Sequence, residues 1–184
     1  MKVFYDTEFL EDGSTIELIS IGMVAEDGRE LYLVNEAIEA DPLYTRIGHH
    51  DWLMKNVIPH LPLRERDPIE QPHAQYAGRF HLDAKDNRVV SRRYIRNAVR
   101  DFVLGTPEPE LWAWYGAYDH VVLAQLFGRM IHLPAGFPMW TNDLRQEVQR
   151  RGDPSLPKQE SVEHDALADA RWVRDAYAWL EAQP

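Results

Sequence analysis

Two carboxylates stand two residues apart near the start of the chain, where Val3, Phe4 and Tyr5 lead into Asp6, Thr7 and Glu8. The run has the composition of a β-strand, and in extended geometry residues i and i+2 point to the same face. Two negative charges held on one face call for a cation between them, and hard oxygen ligands suit a hard divalent ion. Two more acids stand beside expected element ends, Asp119 just after an apolar run and Asp169 in the last helix. His164 precedes Asp169 by five residues, a rotation of roughly 140° on a helix. The two do not share a helical face, so His164 is placed before the helix, with Asp165 as its cap and Asp169 reaching inward from the first turns. An imidazole then lies beside a carboxylate cluster without serving as a ligand. Such a cluster reads as the site of a possible metal-dependent enzyme, and an imidazole is a side chain that can take a proton from water near neutrality.

These side chains need a sheet to hold them. Asp12-Gly13 and Asp27-Gly28 are turn signals that bracket an apolar run over 16–25 and precede a second run over 29–35. The spacing predicts three antiparallel strands near 2–6, 16–25 and 29–35, with the acid-bearing strand at or next to the centre. Asp41-Pro42 opens a short helix, and Asp51 is a cap candidate for one that runs to about Ile58. Pro59, Pro62, Pro68 and Pro72 then interrupt the chain, and 59–90 reads as an irregular connection. Ser91 caps a helix carrying Tyr94, Ile95, Ala98, Val99, Phe102 and Val103 at helical spacing and ending before Gly105. Leu111 to Tyr115 reads as a buried strand, followed by a helix from about His120 to near Met130. Residues 138–141 form an expected edge strand, and Asn142 or Asp143 caps a helix to Arg151. The last helix starts near Asp165 and presents Leu167, Ala168, Trp172, Val173, Ala176, Tyr177 and Leu180 as an apolar stripe.

A length of 184 residues with 45% hydrophobic content fits one domain over 1–184 with a sizeable core. The net charge of −10 argues against a surface that coats polyanions generally, although bound cations can invert the field locally. The absence of cysteine excludes disulfides and thiolate metal sites. With no signal-type h-region and no 18-residue apolar run, the expectation is a cytoplasmic protein without a membrane partner.

Asp6-Thr7-Glu8, the lone Asp119 after a strand and turn, and His164 followed by Asp169 resemble the ordered motifs of the DEDDh 3′-to-5′ exonucleases. Phe4 to Phe9, Glu17 to Gly22 and Leu111 to His120 resemble more closely the polyadenylate-specific 3′-to-5′ exoribonucleases of actinobacteria. The resemblance implies an α/β, ribonuclease-H-like exonuclease domain with a central mixed five-stranded sheet flanked by helices. It implies that Asp6, Glu8 and Asp169 bind one divalent ion, and that Asp6 touches a second to which Asp119 contributes. The ions implied are two Mg2+ per site, with Mn2+ able to substitute, and His164 matches the general base. The implied substrate is the 3′ end of single-stranded RNA, the product a nucleoside 5′-monophosphate, and adenylate tails a preferred sequence. Backbone groups near Thr7 and Phe9, with Leu10, are implied to hold the terminal nucleotide, and Glu8 to contact its ribose. Tyr118 departs from the Phe common before the third acid. The resemblance also implies a homodimer.

The residues alone leave other readings open: a DNA 3′-to-5′ exonuclease, an oligoribonucleotide trimmer, or a binding protein whose acids serve turns and caps. Arg92, Arg96 and Arg100 recur every four residues and share a helix face, either as a solvated surface or as a phosphate track. Arg93, Arg145, Arg150, Arg151 and Lys158 are further cationic candidates for the RNA backbone.

Overall fold

A computed structural model describes residues 1–65 and 80–183. Its centre is an antiparallel meander of β1 (Lys2–Glu11), β2 (Ile16–Ala25) and β3 (Glu30–Asn35). The two connecting turns are built as their sequences require. Gly13 and Gly28 take positive φ, and Asp12 accepts from the amides of Ser14 and Thr15 at 2.9 and 2.7 Å. Three parallel strands complete a mixed sheet: β4 (Val89–Val90) beside β3, β5 (Glu110–Ala113) beside β1, and β6 (Asn142–Asp143) beside β5. The order β4-β3-β2-β1-β5-β6 puts β1 and β2 in the middle.

Six strands therefore replace the expected five. β4 is only two residues long, too short to show any alternation, and lies in the stretch read as an irregular connection. The edge strand falls at 142–143 and not at 138–141, because Asn142 and Asp143 are the residues that pair with Trp112 and Ala113. Asn142 adds a side-chain bond to the Leu111 carbonyl at 3.1 Å. Of the 59–90 connection, residues 66–79, including Pro68 and Pro72, lie outside the described residues.

Six helices flank the sheet among the described residues: α1 (Leu43–Gly48), α2 (Asp51–Asn56), α3 (Arg92–Leu104), α4 (Ala117–Gln125), α5 (Leu144–Arg150) and α6 (Ala166–Glu181). The caps are local. Ser91 accepts from Tyr94 N–H at the start of α3, Asp143 from Arg145 N–H at α5, and Asp165 from Ala168 N–H at α6. At α2 the cap is His50, which accepts from Leu53 N–H, and the expected Asp51 is already helical. α4 starts three residues earlier than expected and stops at Gln125, ahead of Gly128 at φ 91.

Alternation along β1 assigns the two faces. Val3 and Tyr5 pack with Ile95, Val99 and Val103 of α3 and Val122 and Leu123 of α4. Phe4, on the other face, packs with Leu144 and Val148 of α5 and Val173, Ala176 and Leu180 of α6. Leu10 packs beyond them with Ile47 of α1 and Leu53 of α2.

The first turns of α6 come unusually close to the sheet. Ala166 and Ala170 are fully buried there, so the helix presents methyl groups where larger side chains would hold it off. Gly22 of β2 completes the contact, since a Cβ at this position would lie 2.2 Å from the Ala166 carbonyl oxygen and 2.4 Å from the Leu167 nitrogen. Both obstacles are backbone and cannot rotate away. Gly22→Ala is expected to lower stability by about 1–3 kcal/mol in a urea melt, and an unchanged midpoint would contradict the close approach.

Candidate active site

Asp6 lies directly opposite Gly22 in the β1–β2 ladder, and Glu8 lies opposite Ser20. Both acids share the Phe4 face, the face covered by α6. The register slips between Glu8 and Phe9, a β-bulge beside the two acids that adds twist where the strand leaves the site. Glu8 is 7% exposed and Asp6 is partly buried.

Asp119 arrives from the other side of the strand. It sits in the first turn of α4 and is buried, and its Oδ1 accepts from Thr7 N–H at 2.9 Å and from the Thr7 hydroxyl at 2.6 Å. β5 stops pairing with β1 at Phe4, so the edge of β1 beyond it is open, and the α4 carboxylate occupies that edge. Thr7 thus anchors the third acid between the first two, with its amide committed to that acid.

Asp169 hangs from the first turn of α6, as the spacing predicts. Its Oδ2 accepts from His164 N–H at 2.9 Å and its Oδ1 from Gln159 Nε2 at 2.5 Å. His164 stands outside the helix, with φ at 66, and its ring meets the Trp52 ring edge-on at a centroid distance of 4.7 Å. One ligand atom from each of Glu8, His164 and Asp169 lies within 4.8 Å of the others. The imidazole is therefore nearer to ligand geometry than the sequence alone suggested. Asp6 and Asp119 stand outside that tight group and are coupled to it by charge.

Burial first, and then neighbouring carboxylates, weaken these acids. Burial and the charges of Asp169, Asp119 and Asp165 push Glu8 up to about 8. Asp6 lies well above the ordinary carboxylate range for the same reason, with Asp119, Glu8 and Asp169 as neighbours. Asp119 is pushed up to about 6 by burial, against the stabilising bonds from Thr7. Asp169 is raised by burial, against the bonds from Gln159 and His164 N–H. Carboxylate oxygens and an imidazole, with no thiolate, form a donor set that fits a hard or borderline divalent cation, and a cation would reverse these shifts.

The remaining expected contacts separate into groups. Phe9 is partly buried and stacks on Tyr118 at 6.0 Å and 10°, while Tyr118 is 57% exposed at the rim. Leu10 is buried in the cluster under α1 and α2, where helix packing leaves it little surface for a ligand. Arg92, Arg96 and Arg100 ride on α3, which covers the face opposite Asp6 and Glu8, and Arg92 donates to the Gln125 carbonyl at the end of α4. Arg145 instead lines a cavity of about 720 Å³ that also reaches His164, Asp169, Lys158, Trp114 and Trp172. It is paired there with Asp153 at 2.6 Å. Gln159, Trp52 and the anchoring role of Thr7 were not found by sequence reasoning. Thr7 had a signal in its place between two acids, whereas Gln159 lies in a stretch without periodicity.

The raised acids set a sign for stability. A carboxyl raised in the folded state stabilises it below the ordinary value, and that contribution is lost as pH climbs through the folded value. For Glu8 the window runs from 4.5 to about 8, and for Asp119 from 3.8 to about 6. In chelator, the contribution of these groups lowers the melting temperature as pH rises through that window. Saturating divalent cation is expected to raise it, most strongly at the alkaline end. A metal-free melting temperature that climbs from pH 5 to 8, or one indifferent to cation, would contradict the carboxylate cluster.

Residues 70–180 match the family model described as the 3′-5′ exoribonuclease Rv2179c-like domain. Two Mycobacterium tuberculosis proteins, the 3′-5′ exoribonucleases Rv2179c and MT2234.1, are each 47% identical over 173 residues, covering 93% of this chain and 88% of the relative. Among solved structures, S. pombe Pop2p in its Mg2+- and Mn2+-bound form superposes with a TM-score of 0.52 at 14% identity, over 98% of this chain and 81% of Pop2p. That likeness concerns the fold: a central mixed sheet flanked by helices, as in ribonuclease-H-like proteins. With more than half of its length matched by the family model and nearly all of it aligned to relatives at 47% identity, the chain belongs to the Rv2179c-like 3′-5′ exoribonuclease family.

Proposed function

We propose that the chain is a metal-dependent 3′-to-5′ exoribonuclease that releases nucleoside 5′-monophosphates from the 3′ end of single-stranded RNA. The observation that carries this reading is the meeting of Glu8, His164 and Asp169 within 4.8 Å, beside two further buried or half-buried acids. In this reading Asp6, Glu8 and Asp169 hold one Mg2+, and Asp6 with Asp119 holds a second, with Mn2+ able to substitute. Two such ions neutralise charge on the phosphoryl group and at the attacking and leaving oxygens.

The protein's own part is placement and proton transfer. His164 receives a proton from the attacking water through its imidazole, while Trp52 and the bond from His164 N–H to Asp169 hold the residue in place. An O–P bond forms, the P–O3′ bond breaks, and the shortened chain keeps a 3′-hydroxyl after taking up a proton. In this reading Glu8 contacts the ribose 2′-hydroxyl, the group that separates RNA from DNA. The exposed Tyr118 ring, stacked on Phe9, offers a flat platform for the terminal base. A preference for adenylate tails is consistent with purine stacking there.

The cavity beside His164 and Asp169 is the proposed course of the RNA backbone. Among the described residues lining it, Lys158 has no acidic partner, whereas Arg145 is already paired. The arginines of α3 contact only RNA that passes around the sheet edge in this reading. Exposed Met130, Ile131, Met139 and Trp140 give an apolar surface suited to a homodimer. No helix among the described residues is long and apolar enough to cross a membrane. We take 1–184 to act as one exonuclease domain in the cytoplasm.

The test is stepwise shortening of 5′-labelled A, C, G and U homopolymer RNAs and matching DNAs, with Mg2+, Mn2+ or chelator. Metal-dependent 3′ shortening of RNA is expected, with kcat reduced about 100- to 10,000-fold by His164→Ala. Equal efficiency on DNA would remove the ribose contact, and no shortening by folded protein would favour a binding protein. Lys158→Gln is expected to raise KM for RNA and to flatten its log–log salt dependence by about 0.7. Arg96→Gln serves as the comparison on the opposite face, and an unchanged salt slope in Lys158→Gln would return the lysine to solvated surface.

A further inference from the structure

The stretch between α5 and α6, residues 151–165, carries His164 yet contains no helix or strand. A catalytic group on such a stretch needs ties from side chains, and four hold its part from Asp153 to His164. Asp153 pairs with Arg145, and the Pro157 carbonyl accepts from Trp172 Nε1 at 3.0 Å. The other two ties both end on Asp169: His164 N–H donates to Oδ2, and Gln159 Nε2 donates to Oδ1. Gln159 Nε2 also donates to the Val162 carbonyl at 3.2 Å, two residues before His164. Both neighbours of that nitrogen are acceptors, which fixes the amide orientation, and a primary amide has two N–H groups to satisfy them.

We infer that Gln159 is a positioning residue that aims the Asp169 carboxylate and, through Val162, sets the stretch that carries His164. The inference rests on the functional reading above. Its basis is stereochemical. A carboxylate has about four lone-pair directions. Gln159 and His164 N–H occupy one on each oxygen, leaving the others for the side on which the ligand atoms of Glu8 and His164 lie. The donor is neutral, so it restrains the acid without supplying a positive charge that would compete with a bound cation. An arginine or lysine at this position would orient Asp169 equally well and would repel the cation. Partners of this kind behind a metal ligand typically contribute about 10- to 100-fold in affinity or activity.

The experiment compares wild type with Gln159→Ala and Gln159→Met, the second keeping the length of the side chain without its donors. Mn2+ affinity is measured by calorimetry on RNA-free protein, followed by kcat and KM on an RNA oligomer. Both variants are expected to bind Mn2+ about 10- to 100-fold more weakly, with kcat falling by more than KM rises. Wild-type affinity in both variants overturns the inference, as does full recovery in Gln159→Met, which would assign the role to packing. Unfolded Gln159→Ala leaves the decision to Gln159→Met. Wild-type protein that binds no Mn2+ overturns the functional reading itself, so the two failures are told apart.

Discussion

The approach of α6 to the sheet at Gly22 is the contact on which the site depends. Helices ordinarily stand off a sheet by the length of their side chains. Here the Ala166 and Leu167 backbone occupies the space that a Cβ on β2 would fill. The point of closest approach lies on the ladder rung that pairs Gly22 with Asp6. Residues more than 150 positions apart in the chain are thereby brought into one cluster, with Asp169 and His164 delivered from the helix start to the strand that carries Glu8. The β-bulge after Glu8 and the Thr7 bonds to Asp119 act on the same few residues from the other side.

That convergence has an electrostatic consequence. Among the described residues, no arginine or lysine forms an ion pair with Asp6, Glu8, Asp119 or Asp169, although most arginines elsewhere have acidic partners. Asp119 and Asp169 are steadied instead by neutral donors: the Thr7 amide and hydroxyl on the first, the Gln159 amide and the His164 N–H on the second. Neutral donors orient a carboxylate without cancelling its charge, so the cluster keeps its demand for a cation. In the proposed reading, metal dependence follows from this choice of donors as much as from the acids themselves. The same arrangement would reconcile an acidic chain with a polyanionic substrate, because in that reading the positive charge at the point of reaction comes from bound ions.

Much of this was legible in the residues. Strand alternation placed Asp6 and Glu8 on one face, and the five-residue spacing placed His164 outside a helix capped by Asp165, as found. The turns at Gly13 and Gly28 and the start of α3 at Ser91 followed from local chemistry. What the sequence did not disclose depends on tertiary contact. Val89–Val90 is a strand only because β3 is beside it, and β6 sits at 142–143 because that is where the chain meets β5. Helical spacing showed that Arg92, Arg96 and Arg100 share a face, and it carries no information about which side of the sheet that helix covers. Gln159 and Trp52 reach the site across gaps in sequence that no local pattern spans.

The central claim is that these acids form a divalent metal centre, and the most direct measurement is anomalous diffraction from crystals of the protein grown with Mn2+. The account predicts a strong peak coordinated by Asp6, Glu8 and Asp169, with a second beside Asp6 and Asp119. Well-ordered carboxylates with no anomalous density among them, at Mn2+ concentrations that support activity, would contradict it.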